Sequence, residues 1–189
     1  MFKLIFKLFG WKITGHLPKE IKKCVIVVAP HTSNWDFVLG MGALKCMKLH
    51  PRFVIKKEWM RFPFKRLMRS LGALPIDRNA KNKLGEKKGT VDAMAELFDK
   101  HDDLLLIITP EGTRKRVEKW KTGFYYVALT AKVPIVLGCM NYEKRECGIY
   151  KTIYPSGDFR SDMRSIMDFY KDAKPKNPEN FSVDVELSK

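Results

Sequence analysis

The sequence predicts a single α/β domain, with a largely parallel or mixed central sheet flanked by helices and a short amphipathic, membrane-binding helix at its N-terminus. Three observations predict it. Short β-branched runs alternate with helical patterns, the order that builds parallel sheets. Several runs are apolar throughout, as strands buried on both faces are. The 189 residues suffice for one core, and no internal repeat or low-complexity tract divides them.

At the N-terminus, Lys3, Lys7 and Gly10 share one narrow face at about 100° per residue, and Phe2, Leu4, Ile5, Phe6, Leu8 and Phe9 cover the rest. Such a helix either lies in a membrane interface with its lysines toward the headgroups or packs on the core. Lys7 interrupts the apolar stretch and no small-residue cleavage site follows, so it does not read as a secretory signal. Strands are expected at 24–29, 53–55, 74–76, 104–109 (the clearest central one), 134–140 and 150–154, the last on an edge. Helices are expected at 37–49, 59–71 with a break or kink at Pro63, 91–100 with Thr90 as N-cap, 123–132 and 163–171. The basic stretch 78–88 reads as a solvated loop or helix start. The chain therefore divides into an interface segment, 1–14, a domain over 20–173, and a tail at 174–189 that begins Pro- and Lys-rich.

Lys and Arg total 36 against 21 acids, a net charge of +15 with pI near 9.7. That charge attracts polyanions, either nucleic acid or an anionic lipid surface. With 45% hydrophobic residues the composition excludes a disordered chain. No window holds the roughly 18 apolar residues a spanning helix needs. Cys24, Cys46, Cys139 and Cys147 form no C-x-x-C pair and no zinc-like set, so free thiols in a reducing compartment are expected, with Cys24 in the core and no metal. Together these features read as a peripheral protein on the cytoplasmic face of a membrane.

Four polar clusters each follow a strand directly: His31 to Asp36, Lys56 to Glu58, Asp77 with Arg78, and Glu111 to Arg114. Ligands of open α/β sheets bind at the carboxyl ends of the strands, so parallel strands would gather all four at one edge. In a strand-to-helix turn His31 can meet Asp36, whose carboxylate would fix the imidazole tautomer and leave the other ring nitrogen as a base. That is the orienting logic of a serine-protease triad without its serine, so the nucleophile would be a substrate hydroxyl. By itself the pair also fits a histidine merely capped by a local Asp. Ser33 and Asn34 read as helix caps. Gly112 permits close approach to the backbone, and Arg114 offers a donor fork suited to phosphate. Arg78 and Lys57 are further phosphate candidates. P-loop, G-x-G-x-x-G, G-x-S-x-G, H-E-x-x-H and RNP-like patterns are absent from the sequence.

In order along the chain, His31-x4-Asp36, Gly72-Ala73-Leu74-Pro75-Ile76-Asp77-Arg78, Pro110-Glu111-Gly112-Thr113-Arg114 and Val133-Pro134-Ile135 resemble the four blocks of the lysophosphatidate/glycerol-3-phosphate acyltransferase family. Lys121 and Gly123 match the Lys-x-Gly that often follows the third block. The resemblance runs from Val25 to Leu137. Pro30, Thr109 and Lys115 depart from the Asn, Phe and Ser usual there, differences that bear on the acceptor rather than on the chemistry. The resemblance implies acyl transfer from acyl-CoA or acyl-acyl carrier protein to a lysophospholipid hydroxyl, 1-acyl-glycerol-3-phosphate first, in phospholipid biosynthesis. His31 would be the base and Asp36 its orienting partner. Arg78, Glu111, Gly112, Thr113, Arg114 and Lys57 would hold the acceptor, with no metal or prosthetic group. It also favours a lipid surface over nucleic acid as the partner. A different acceptor, such as an amino-acid lipid or another lysolipid, is the nearest alternative. A basic module binding membrane or nucleic acid without catalysis is the alternative of another class.

Overall fold

Continuous apolar runs become the middle of a seven-stranded sheet. The computed structural model describes residues 2–76 and 89–188. In chain order the elements are α1 (Phe2–Leu8), β1 (Lys12–Ile13), β2 (Lys23–Val28), α2 (Asn34–Cys46), β3 (Arg52–Lys56), α3 (Lys65–Ser70), β4 (Ala73–Ile76), α4 (Thr90–Asp99), β5 (Leu104–Ile108), α5 (Gly123–Ala131), β6 (Ile135–Asn141), β7 (Glu146–Ile153) and α6 (Phe159–Tyr170). The sheet runs β1-β7-β6-β2-β5-β3-β4, every pair parallel except β6 with β7. It is mixed, as the sequence indicates.

The central strands read as unbroken hydrophobic runs because they are covered on both faces. Val25 and Val27 point to one side, into a core with Leu104, Leu106, Ile135 and Leu137 and the helices α5 and α6. Cys24 and Ile26 point to the other, with Val136 and Ile149. Parallel strands need right-handed crossovers. The steps β2 to β3 and β3 to β4 run in one direction along the sheet, which puts α2 and α3 on one face. The steps β4 to β5 and β5 to β6 run back, which puts α4 and α5 on the other, where they pack together.

Several boundaries move for local reasons. Helix α2 starts at Asn34 rather than at 37, because Ser33 caps it, so Asn34 is inside the helix and not a cap. The stretch 59–71 does break around Pro63, into a 3-10 turn, Lys57–Trp59, and α3. Thr90 is the first residue of α4; the cap is Gly89, with no side-chain bond. The strand expected at 150–154 is the second half of β7; β1 pairs with β7 only at Glu146 and Cys147, so this half has β6 alone as its partner, as an edge does. The outermost strand is β1, two residues long and too short for any period to reveal.

Helix α1 packs on α2, with Phe6 only 2% exposed and Gly42 giving its backbone room. Leu4, Leu8 and Phe9 on the same segment remain exposed. The tail returns to the domain: Asp184, buried, accepts from the Trp120 N–H at 2.9 Å, and the Ser182 carbonyl accepts from the Trp120 indole at 3.0 Å. All four cysteines are free. Among the described residues no helix is long and apolar enough to cross a membrane.

Candidate active site

The loop between β2 and α2 is shaped by Asp36. As the third residue of the helix, its carboxylate reaches back to the capping residue, a capping box. Oδ2 accepts from the backbone N–H groups of Thr32 and Ser33, each at 2.7 Å, while the Ser33 hydroxyl accepts from the Trp35 N–H at 3.2 Å. The same Oδ2 lies 3.6 Å from His31 Nδ1, longer than a hydrogen bond and close enough to orient the ring. Oδ1 accepts from the Tyr142 hydroxyl at 2.5 Å. Asp36 is 4% exposed and every bond it makes is one a carboxylate accepts. Local capping and orientation of His31 are thus two uses of one side chain.

The loop is also held from β5. The buried Glu111 accepts from the His31 backbone N–H with both oxygens, at 3.1 and 3.0 Å. Its carboxyl is pushed up to about 7 by burial, against the His31 N–H, which favours the charged form, and with the Asp36 charge adding to the rise. Glu111 therefore holds the His31 backbone in place. From the C-terminal side, Asn177 Nδ2 donates to the Thr32 carbonyl at 2.9 Å.

The His31 pKa is lowered by burial, opposed by Asp36 and reinforced by Arg114. A lowered histidine is a neutral imidazole at pH 7, the form a general base requires. The ring is partly exposed and lines a cavity of about 540 Å³. Apart from His31, Asp36 and Lys121, its walls are mainly apolar: Phe37, Gly40, Met41 and Leu44 of α2, Phe53 to Ile55 of β3, Ile76 of β4 and Met94 of α4.

The clusters expected to converge do so unequally. His31, Asp36 and Gly112 line the cavity, and Glu111 braces it. Gly112 has φ +65, the left-handed region that favours glycine, and a Cβ there would collide with Lys121 Nζ. Arg114 is exposed at the rim and donates to the Asn34 side chain. Thr113 turns its hydroxyl to the Lys115 N–H at 3.3 Å instead of the cavity. Lys57 is exposed in the turn after β3 and does not line the cavity. Arg78 and Asp77, with the basic stretch 78–88, lie outside the described residues. Two residues acquire a place that sequence reasoning did not assign. Tyr142, in the β6–β7 turn, anchors Asp36, and its hydroxyl is pushed up by burial and by the Asp36 carboxylate it donates to. Lys121 brings a cation into the cavity wall. Lys121 carried a signal in its Lys-x-Gly context; Tyr142 carried none. Among the described residues no cluster of His, Cys, Asp and Glu is placed to hold a metal.

Burial of Glu111 carries a pH signature. Its folded pKa, about 7, exceeds the unfolded value of 4.5, so the native state holds a proton that the unfolded chain releases. Its contribution to stability is complete below 4.5 and is lost as pH rises to about 7. Glu111→Gln should flatten the decline in melting temperature across that window. Melting curves at stepped pH, with an unchanged decline in the variant, would remove Glu111 from this account.

The family model described as Acyltransferase matches residues 12–140, which include the whole β2–α2 loop and the β5–α5 loop. The chain is 30% identical over 149 residues to the 1-acyl-sn-glycerol-3-phosphate acyltransferases of Escherichia coli (strain K12) and of Salmonella typhimurium. Each match takes in 75% of this chain and 57% of the relative, so the chain spans less than two thirds of the length of these curated relatives. The crystal structure of the 1-acyl-sn-glycerophosphate (LPA) acyltransferase from Thermotoga maritima superposes with TM-score 0.59 at 16% identity, covering 99% of this chain and 75% of that one. That likeness supports the fold.

Proposed function

Because the chain belongs to the acyltransferase family, we propose that it moves a fatty acyl group from acyl-CoA or acyl-acyl carrier protein to a lysophospholipid hydroxyl, 1-acyl-glycerol-3-phosphate first among the acceptors. One observation carries the reading: His31, oriented by a buried Asp36, stands in the wall of an otherwise mainly apolar cavity of about 540 Å³. That volume is ordinary for a ligand pocket, and its lining suits an alkyl chain better than a polar substrate. His31 takes the acceptor's hydroxyl proton. The oxygen attacks the thioester carbonyl, the tetrahedral adduct collapses, and the departing thiolate recovers the proton from the imidazolium. No acyl-enzyme forms. Asp36 holds the ring and stabilises its charged form. Lys121 in the wall, Arg114 at the rim and Arg78 supply cations for the acceptor's phosphate, with Lys57 further out. Gly112 lets the substrate close on the backbone, and Glu111 keeps the loop in place. The excess of basic residues and the exposed Leu4, Leu8 and Phe9 of the N-terminal segment favour work at an anionic membrane surface on the cytoplasmic face, without nucleic acid.

The deciding assay is thiol release from palmitoyl-CoA and from acyl-acyl carrier protein, with lysophosphatidate, glycerol 3-phosphate or an amino-acid lipid as acceptor. Release that depends on lysophosphatidate supports the reading; release confined to another acceptor moves the substrate assignment; none with any acceptor removes it. The cavity itself can be probed at Gly40, where an added Cβ meets nothing within 4 Å. Gly40→Leu should fill the alkyl path while gaining about 0.5–1 kcal/mol from removal of a helix glycine. The expected result is a preference shifted several-fold toward shorter acyl thioesters with no loss of thermal stability. An unchanged chain-length profile would place the alkyl chain elsewhere.

A further inference from the structure

One helix of the domain lies almost bare, against β4. α3 buries none of its side chains, and from Arg61 to Leu67 every residue is exposed. Phe62 is 95% exposed, Phe64 60% and Leu67 53%. Six residues are too few to be a stable helix in water without packing, and three adjacent large apolar side chains on a monomer's surface mark an interaction site. The charge around them has one sign: Arg61, Lys65, Arg66 and Arg69 occur between residues 59 and 72 with no acid. Aromatic and leucine side chains ringed by cations match a bilayer interface with anionic headgroups, apolar groups inserting and basic groups staying at headgroup level.

Two further observations select a lipid surface. The crossover geometry puts α3 on the same face of the sheet as α2, on which α1 packs with Leu4 and Leu8 exposed. Phe37, at the start of α2, is 39% exposed, lines the cavity and meets the rings of Phe2 and Phe53 at 6.1 and 6.2 Å. The exposed apolar groups of α1, α2 and the α3 segment thus share the side on which the cavity is walled by α2.

We propose that the segment from Arg61 to Arg69 is a second membrane-docking element, which inserts Phe62, Phe64 and Leu67 into an anionic lipid surface and lays the α2 side of the cavity against it. The proposal rests on the acyl-transfer reading for its purpose, since it brings a lipid acceptor to His31, but the binding itself requires no catalysis.

The test is flotation of the full chain with phosphatidylglycerol–phosphatidylcholine vesicles, alongside turnover of monomeric short-chain substrates. Phe62→Ser/Phe64→Ser should lower vesicle partitioning about tenfold and leave melting temperature and monomeric turnover unchanged. α1 accounts for the binding that remains. Arg66→Gln/Arg69→Gln should weaken binding to the anionic vesicles by a similar factor and leave the weaker binding to pure phosphatidylcholine unchanged. Wild-type partitioning in both variants overturns the proposal. So does a phenylalanine variant that keeps vesicle binding and loses affinity for acyl carrier protein, which would make the patch a protein-docking site. Loss of partitioning in the variants, with no turnover by the wild type on any substrate, would uphold the docking element and remove the acyl-transfer reading.

Discussion

His31→Ala is expected to lower acceptor-dependent thiol release by about 10²–10⁴-fold, the range over which a positioned general base acts, with the fold intact. The ring that the substitution removes lies 3.6 Å from Asp36 and otherwise lines the cavity. The backbone N–H that Glu111 accepts from survives in alanine. The loop therefore keeps its shape, and the melting temperature should move little. The pH profile of the wild type gives a second reading of the same group. With its pKa lowered by burial, the acidic limb of kcat/KM should fall below the ordinary histidine range. A variant that releases thiol at the wild-type rate would take His31 out of the chemistry.

Asp36→Ala is expected to do two kinds of damage at once. It strips the acceptor from the Thr32 and Ser33 N–H groups and from the Tyr142 hydroxyl, all at 2.5–2.7 Å. Loss of a helix cap costs about 0.5–2 kcal/mol, and bonds to a charged group about 1.5–3 kcal/mol each. These terms overlap, and a total destabilisation of about 2–4 kcal/mol is expected from them. Catalysis should fall as well, because the ring loses its orienting partner, though not further than in His31→Ala, which removes the base itself. Asp36→Asn separates the effects: an amide oxygen in the place of Oδ2 still accepts from the Thr32 and Ser33 N–H groups, so most stability returns, whereas the negative charge that stabilises the protonated imidazole is gone. Chemical denaturation and thiol release, measured on both variants, check it. Full activity in a folded Asp36→Asn protein would reduce Asp36 to a cap.

These two residues also show how much was legible beforehand. The strand ending before His31 and the cap at Ser33 are local features, written in a continuous apolar run and a capping pattern. Their five-residue spacing makes the contact short-range. The alternation of elements was readable for the same reason, as was the break around Pro63. Boundaries slipped where no periodicity existed, as at the two-residue β1, and where a cap set the start, as at α2.

Composition, charge, strand and helix periods, the capping turn and the family blocks are properties of neighbouring residues, so the α/β class, the His31–Asp36 pairing and a membership that the family match bears out were readable along the chain. What those residues meet is set by the folded arrangement. Glu111 braces the His31 backbone across 80 positions. Tyr142 reaches Asp36 across 106. The cavity is assembled from α2, β3, β4, α4 and the loop after β5, and the bareness of α3 emerges once the sheet order is known. The physical reason is common to all four. A hydrogen bond or a cavity wall depends on which groups the crossovers bring within a few ångströms, and residue types along the chain do not encode that distance.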